Sequence, residues 1–317
     1  MAKAFASRII AAPVEAVWAL VRNFNGMPAW NPAIRDSLIE DGLDADVIGC
    51  VRSFHLGDGT RVRERLLELD DSRYVFAYNF ETPAFPVDNY VARFTLLPLT
   101  DRDETLAMWE ARFDEAPHDA GKYVDIVANG VFAGGLAALA AALEARAEGA
   151  TVEGVTPQPR WQGLRPAKVY CASRLNAPLA VAWAAVRDFA GMAQWHPDIR
   201  SMVMLDGVRS DKVSGVRDFL FGEGRLHEQL TFMSDRDTAF RYKINMSPMP
   251  WLNYHAGLRL YRVTADDTTL AVWTADWVAS AQDDLTLIPN VHHTVFQRAF
   301  DTLNARFAGA ISPSREG

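Results

Sequence analysis

The sequence predicts an α+β protein built from two tandem copies of one domain, each a curved antiparallel sheet wrapped around a long C-terminal helix. Three observations lead there. The chain has 317 residues, about twice the length of an ordinary domain. It repeats itself. Within each copy the order of elements is strand, helix, a run of strands and a long helix, the order of a sheet with its helices on one side.

The repeat is direct. "VWALVRNFNGMPAWNPAIRDS" at 17–37 returns as "AWAAVRDFAGMAQWHPDIRSM" at 182–202, with Trp18, Phe24, Gly26, Met27, Trp30, Pro32, Ile34 and Arg35 recurring 165 residues later. Beyond the next hairpin the offset falls to 164, because "LGDGTR" is one residue longer than "FGEGR". Tyr78, Tyr90 and Trp109 then align with Tyr242, Tyr254 and Trp273. The Gly- and Pro-rich "EGATVEGVTPQPRWQGLRP" between the copies reads as a linker. The expected domains are 1–146 and 167–317, joined by 147–166.

Each copy opens on a short strand, "FASRII" or "VYCASRL", that runs into Pro13 or Pro178. Proline suits a first helical turn, and Val14, Val17, Trp18 and Val21 then recur at helical spacing. Alternating strand-like segments follow, punctuated by turn signals such as "DG" and "GEG". The closing helices are "DAGKYVDIVANGVFAGGLAALAAALEARA" and "IPNVHHTVFQRAFDTLNARF". Gly130, Gly134 and Gly135 either keep side chains out of a space beneath the first of these or allow close packing on the sheet.

Hydrophobic residues make up 49% of the chain and charged residues 23%, a globular balance. The net charge of −8 comes without any Lys/Arg cluster, which argues against nucleic acid as a partner. No apolar run reads as a membrane span and the first residues lack a signal-peptide pattern, so the expectation is a cytoplasmic protein with no membrane partner. The two cysteines, Cys50 and Cys171, fall in different copies and read as small buried hydrophobes.

The phase of two charged residues is the informative feature. Successive strand residues face opposite sides, and Arg52 shares its parity with Cys50, Phe54 and Leu56, while Glu64 shares its own with Val62 and Leu66. Arg217 (with Phe219 and Phe221) and Glu228 (with Leu226, Leu230 and Phe232) repeat the pattern. If "GDG" and "GEG" are hairpin turns, each arginine neighbours its glutamate across two strands. Tyr78, Tyr90 and Trp109, and Tyr242, Tyr254 and Trp273, extend the same interior face. Burying such a pair gains little stability over hydrocarbon. Two readings follow. Either the carboxyl is held for proton transfer, with the guanidinium steadying a developing oxyanion, or the pair is a chemically idle salt bridge at a cavity rim.

These residues carry a family resemblance. Each copy, over roughly 3–146 and 167–308, resembles a START/Bet v 1-like helix-grip domain of the polyketide cyclase/dehydrase group. "GCVRSF…VRERLLELD" with "YVFAYNF…NYVARFTL…MWEARF" is similar to the lachrymatory-factor synthases within it. The resemblance implies proton-transfer roles for Arg52 and Glu64, and through the repeat for Arg217 and Glu228. It also implies an aromatic cavity wall at Tyr78, Tyr90, Trp109, Tyr242, Tyr254 and Trp273, and chemistry without a cofactor. Such folds also serve as receptors and carriers. Asn31 answered by His196, and a methionine-rich second copy, point to two different pockets.

Other signals are weaker. His292 and His293 lack the i, i+4 spacing of a helical metal site, so no metal is expected. Neither a G-x-S-x-G nor a G-x-G-x-x-G string appears in a suitable context. Trp30 and Trp195, each in a W-(N/H)-P loop, either gate the cavity mouth or plug the sheet's end. The expectation is therefore a cofactor-independent lyase, isomerase or cyclase acting on a small hydrophobic, aromatic molecule. A non-catalytic hydrophobic-ligand or lipid carrier, and an interaction module with a collapsed cavity, are the alternatives; a homodimer is left open.

Overall fold

The computed structural model describes residues 1–147 and 166–310, with side chains to residue 308. Apart from its end residues, the expected linker 147–166 lies outside the described residues. The chain falls into two compact units, the first carrying the strands up to residue 115 and the second those from residue 169.

In the first unit, β1 (Ala2–Ile10) leads through Pro13 into α1 (Val14–Val21), followed by β2 (Ile34–Ile39), β3 (Val51–Leu56), β4 (Arg61–Asp70), β5 (Val75–Thr82), β6 (Val87–Pro98) and β7 (Thr105–Glu115). The closing helix is α2 (Lys122–Asp125), a π-helical segment Ile126–Ala133 and α3 (Gly134–Ala147). The sheet order is β1-β7-β6-β5-β4-β3-β2, with all recorded pairings antiparallel. Hairpins join β2 through β7 in sequence order, so only β1 needs a longer return, the one α1 supplies.

The second unit repeats this arrangement. It has β8 (Val169–Leu175), α4 (Leu179–Val186), β9 (Ile199–Met204), β10 (Val216–Phe221), β11 (Gly224–Ser234), β12 (Ala239–Met246), β13 (Leu252–Val263) and β14 (Thr268–Val278) in the equivalent order. Its helix is α5 (Ala281–Pro289), a π-helical segment Asn290–Gln297 and α6 (Arg298–Ala310). The helix begins seven residues before the expected Ile288, because Ser280 caps it by accepting the Asp283 amide and Pro289 sits inside rather than at its start. Proline at 289 conceals the preceding turns from a periodicity argument. Its missing N–H falls where the helix widens into the π segment.

The cores follow the expected phases. Val14, Val17, Trp18 and Val21 are all buried, and the Trp18 indole and Arg22 both bond Asp71, as Trp183 and Arg187 bond Asp235. Those surface charges anchor α1 and α4 and have no part in a site. Asn89 and Asn253 take φ of 52° and 53° at a bulge near the start of β6 and β13, which turns Tyr90 and Tyr254 inward beside it.

Two expectations need correcting. The helix Lys122–Ala147 is long and apolar enough to cross a membrane, since residues 126–143 carry no charge. Its scattered Gly, Ala and Asn conceal that run. In the fold it lays Val127, Phe132, Leu136, Leu139 and Leu143 into the core of the first unit. Of the three glycines, only Gly135 faces inward: a Cβ there would stand 2.8 Å from Trp109 Cζ3, whereas nothing lies within 4 Å of one at Gly130 or Gly134. Close packing is thus the role of one position, set by the register of the helix.

Candidate active site

The hairpins β3–β4 and β10–β11 place Arg52 directly opposite Glu64 and Arg217 directly opposite Glu228. All four side chains point inward: Arg52 is 2% exposed, Arg217 1%, and each glutamate 5%. Rim salt bridges would be wet, and these are not.

The guanidiniums are held from several sides. Arg217 Nε and Nη2 donate to Glu228 Oε2 at 2.8 and 2.5 Å, Nη1 donates to the Phe189 carbonyl at 2.5 Å, and Nη2 also reaches Met192 Sδ at 3.3 Å. Arg52 does the same with Glu64 Oε2 at 2.7 and 2.5 Å and the Phe24 carbonyl at 2.7 Å. The Phe24 and Phe189 rings lie under the guanidinium carbons, 3.9 and 3.8 Å from centroid to Cζ. Phase reasoning passed over both phenylalanines, although they stand among the repeated identities.

All contacts of each carboxylate with its arginine fall on Oε2. Burial pushes the Glu64 and Glu228 carboxyls above the ordinary range, against the pull of Arg52 and Arg217. The neighbouring phenols are pushed further from ionisation: burial first, then the glutamate charge, raises Tyr78 and Tyr242, and burial does the same to Tyr90 and Tyr254. At neutral pH these tyrosines are hydrogen-bonding walls rather than bases. The Trp109 indole donates to the Tyr78 hydroxyl at 3.0 Å and the Trp273 indole to Tyr242 at 3.2 Å, and each tyrosine hydroxyl also interacts with the next, Tyr90 or Tyr254.

In the second unit these groups border a cavity of about 460 Å³ between the sheet and the π segment. Glu228, Tyr242 and Tyr254 line it with Ile244, Trp251 and Val291. Trp251 was not expected; nothing in the repeat marks it, because Val87 stands at the aligned position of the first copy. Trp273 stacks on Phe296 of the π segment at 4.3 Å, as Trp109 does on Phe132 at 4.9 Å. Trp30 and Trp195 are buried, 6% and 3% exposed, with indole N–H groups that meet no acceptor among the described residues.

The first unit fills the corresponding space differently. Phe80 stacks on Tyr90 at 3.9 Å and Phe85 on Tyr123 at 5.6 Å, where the second unit has Ile244, Met249 and Leu287 at the aligned positions. Asn31 and His196 play the same part in their loops, since Asn31 Oδ1 accepts the Ala33 amide and His196 Nδ1 accepts the Asp198 amide. His196 adds a bond from Nε2 to the Val295 carbonyl at 3.0 Å, tying its loop to the π segment, and burial lowers its pKa.

The family described as polyketide cyclase / dehydrase and lipid transport matches residues 1–146 and 166–308. The chain belongs to it. Within this polyketide cyclase/dehydrase family the chain is a tandem of two helix-grip domains, as the repeat predicted. It is 30% identical over 106 residues to the abscisic acid receptor PYL7 of Arabidopsis thaliana, a match covering 32% of this chain and 49% of the receptor, so the chain spans about half the length of that relative. A putative uncharacterized protein from Bacillus thuringiensis is 29% identical, covering 45% of this chain and 99% of its own, with a TM-score of 0.41. The di-domain ARO/CYC BexL covers 96% of this chain and 98% of its own at 12% identity, with a TM-score of 0.40.

Other sequence signals are placed too. Cys50 and Cys171 are buried free thiols, and burial raises Cys50 and pushes Cys171 up to about 12, so neither suits nucleophilic chemistry. His292 and His293 bring their Nδ1 atoms to 3.2 Å, closer than helical spacing suggested. Among the described residues no group of three or more His, Cys, Asp or Glu could hold a metal ion.

Proposed function

We propose that the protein is a cofactor-independent enzyme that moves protons on a small hydrophobic, aromatic substrate in the cavity of its second unit. The observation that carries this reading is Glu228, whose contacts with Arg217 fall on Oε2 and which lines a cavity of about 460 Å³ that is mostly apolar, with Glu223 and Asn290 at its border. A carboxyl raised by burial can deliver a proton from Oε1 or, once ionised, take one there. Apolar walls exclude the water that would compete for it.

Arg217 serves in this reading as a positioning residue. Its Nε, Nη1 and Nη2 are all engaged by protein acceptors, which leaves it poorly placed to anchor a substrate oxygen. Tyr242 and Tyr254 offer hydroxyls to an oxygen on the substrate. The reaction is of the class such a group supports: an isomerisation, an elimination or a cyclisation. The chain's membership of a cyclase/dehydrase and lipid-transport family accords with this, and also with carriage.

The test is untargeted mass spectrometry of a small-molecule extract incubated with the wild type, Glu64→Gln, Glu228→Gln and the double variant. A product formed by the wild type and Glu64→Gln, and lost in both proteins lacking Glu228, is the expected result. Compounds retained equally by all four proteins, with no new mass, would make the protein a carrier.

A further inference from the structure

The outer face of the second sheet carries its own groove, with the sheet and Tyr242 between it and the cavity above. It has a volume of about 660 Å³ and runs across β11 to β14, with Arg241, Arg259 and His255 along it and Thr231 and Thr274 at its sides. We propose that this groove is a binding site for a small molecule bearing an oxyanion, a carboxylate or a phosphate ester.

The repeat supplies an internal control. In the first unit Glu68 and Arg93 occupy this surface, and Arg93 Nη1 and Nη2 hold both Glu68 oxygens at 2.7 and 3.0 Å. That cation is neutralised by the fold. At the aligned positions of the second unit stand Phe232 and Gly257, and the arginine has moved one strand over, to 241, where the first unit has Ala77. The carboxylate is gone and the positive charge remains.

Neither Arg241 nor Arg259 makes a salt bridge among the described residues. Each guanidinium lies instead near an aromatic ring on the same surface, Arg241 Cζ at 4.9 Å from the centroid of Phe232, which the irregularity after Leu230 takes off the interior face that strand phase predicted, and Arg259 Cζ at 4.9 Å from that of Tyr261. Aromatic support holds a guanidinium without consuming the charge that a ligand would meet. Register places Arg241 beside Gly257 and Arg259 beside Ala239, so the two arginines are diagonal neighbours on adjacent strands with small residues between them. A Cβ at Gly257 would sit 3.1 Å from Arg241 Cγ, and its absence leaves the floor of the groove open.

Two carboxylates also border the groove. Asp276 accepts the Trp277 amide, and Asp237 accepts the Ser234 hydroxyl and also lies within electrostatic reach of Arg236 and Arg259. They bound the cationic stretch and disfavour a polyanion longer than it. Two forked donors flanking a short uncharged floor suit one compact anionic group, bound by charge-assisted hydrogen bonds.

Titration calorimetry of the full chain with pyrophosphate and, separately, succinate tests the site. Saturable one-to-one binding of either probe is expected, with a dissociation constant below about 1 mM that rises with added salt. Arg241→Gln and Arg259→Gln should each weaken it about tenfold or more, while Arg209→Gln, an exposed arginine paired with Asp211 outside the groove, leaves it unchanged. Binding of neither probe, or binding that the Arg241 and Arg259 changes leave intact, would overturn the proposal. The glutamate variants at 64 and 228 leave this binding untouched, so its outcome is independent of the proposed chemistry.

Discussion

Arg217 grips Glu228 by one oxygen only, with Nε and Nη2 at 2.8 and 2.5 Å from Oε2, and Arg52 holds Glu64 the same way. A bidentate pair would engage both oxygens; here both arginine contacts fall on one. Stability alone gives little reason to bury such a pair.

Its energetics are open to a double-mutant cycle. Arg217→Met leaves Glu228 buried without its counter-charge and should destabilise the second unit by about 3–5 kcal/mol. Adding Glu228→Leu should recover most of that loss. Urea unfolding followed by tryptophan fluorescence measures both, and simple additivity of the two changes would contradict the strong coupling inferred from the geometry.

The raised glutamates also predict a pH dependence. Between the ordinary carboxylate range and their raised values, the folded chain binds more protons than the unfolded one, so stability falls as pH rises through that window. The Glu64→Gln/Glu228→Gln protein should show a flatter profile there, read as melting temperature against pH.

His196 predicts the opposite slope. Its pKa is lowered by burial from 6.5, so below that value the unfolded chain takes up the proton first and stability is lost as pH falls. His196→Asn, which installs the residue of the first copy, keeps an acceptor for the Asp198 amide and should remove this part of the acid sensitivity. A profile unchanged by the substitution would mean that the histidine has the same proton affinity in the folded and unfolded chains.

Helix packing gives a matched pair of glycine changes. Gly135→Ala drives a methyl toward Trp109 and should destabilise by about 1–3 kcal/mol, whereas Gly134→Ala meets open space and should stabilise by about 0.5–1 kcal/mol. Denaturant midpoints for the two variants decide the order.

Removing one phenol oxygen tests the wall of the cavity. Tyr242→Phe orphans the buried Trp273 indole N–H and takes away the hydroxyl next to Tyr254, for a cost of about 1–3 kcal/mol in unfolding experiments. Trp273→Phe on that background should then be far less harmful than on the wild type.

Much of this was legible in the sequence because it follows from parity and repetition. Strand phase alone put Arg52, Glu64, Arg217 and Glu228 on the apolar face, and the repeat fixed two domains of one topology, since identical spacing of apolar residues buries identical faces. Local signals failed where one residue type masked the pattern around it. Pro289 hid the start of the last helix, and scattered small residues hid the charge-free length of Lys122–Ala147.

What only the tertiary structure decided is how these faces meet. Parity says that a glutamate points inward; it does not say which oxygen its arginine takes, nor that the Phe24 and Phe189 carbonyls complete the guanidinium's partners, because those come from loops about 28 residues away in sequence. Nor does it tell a filled interior from an open one. Phe80 on Tyr90 in the first copy, against Ile244 beside Tyr254 in the second, is a difference in how side-chain volumes pack across strands and helix, which no one-dimensional pattern records.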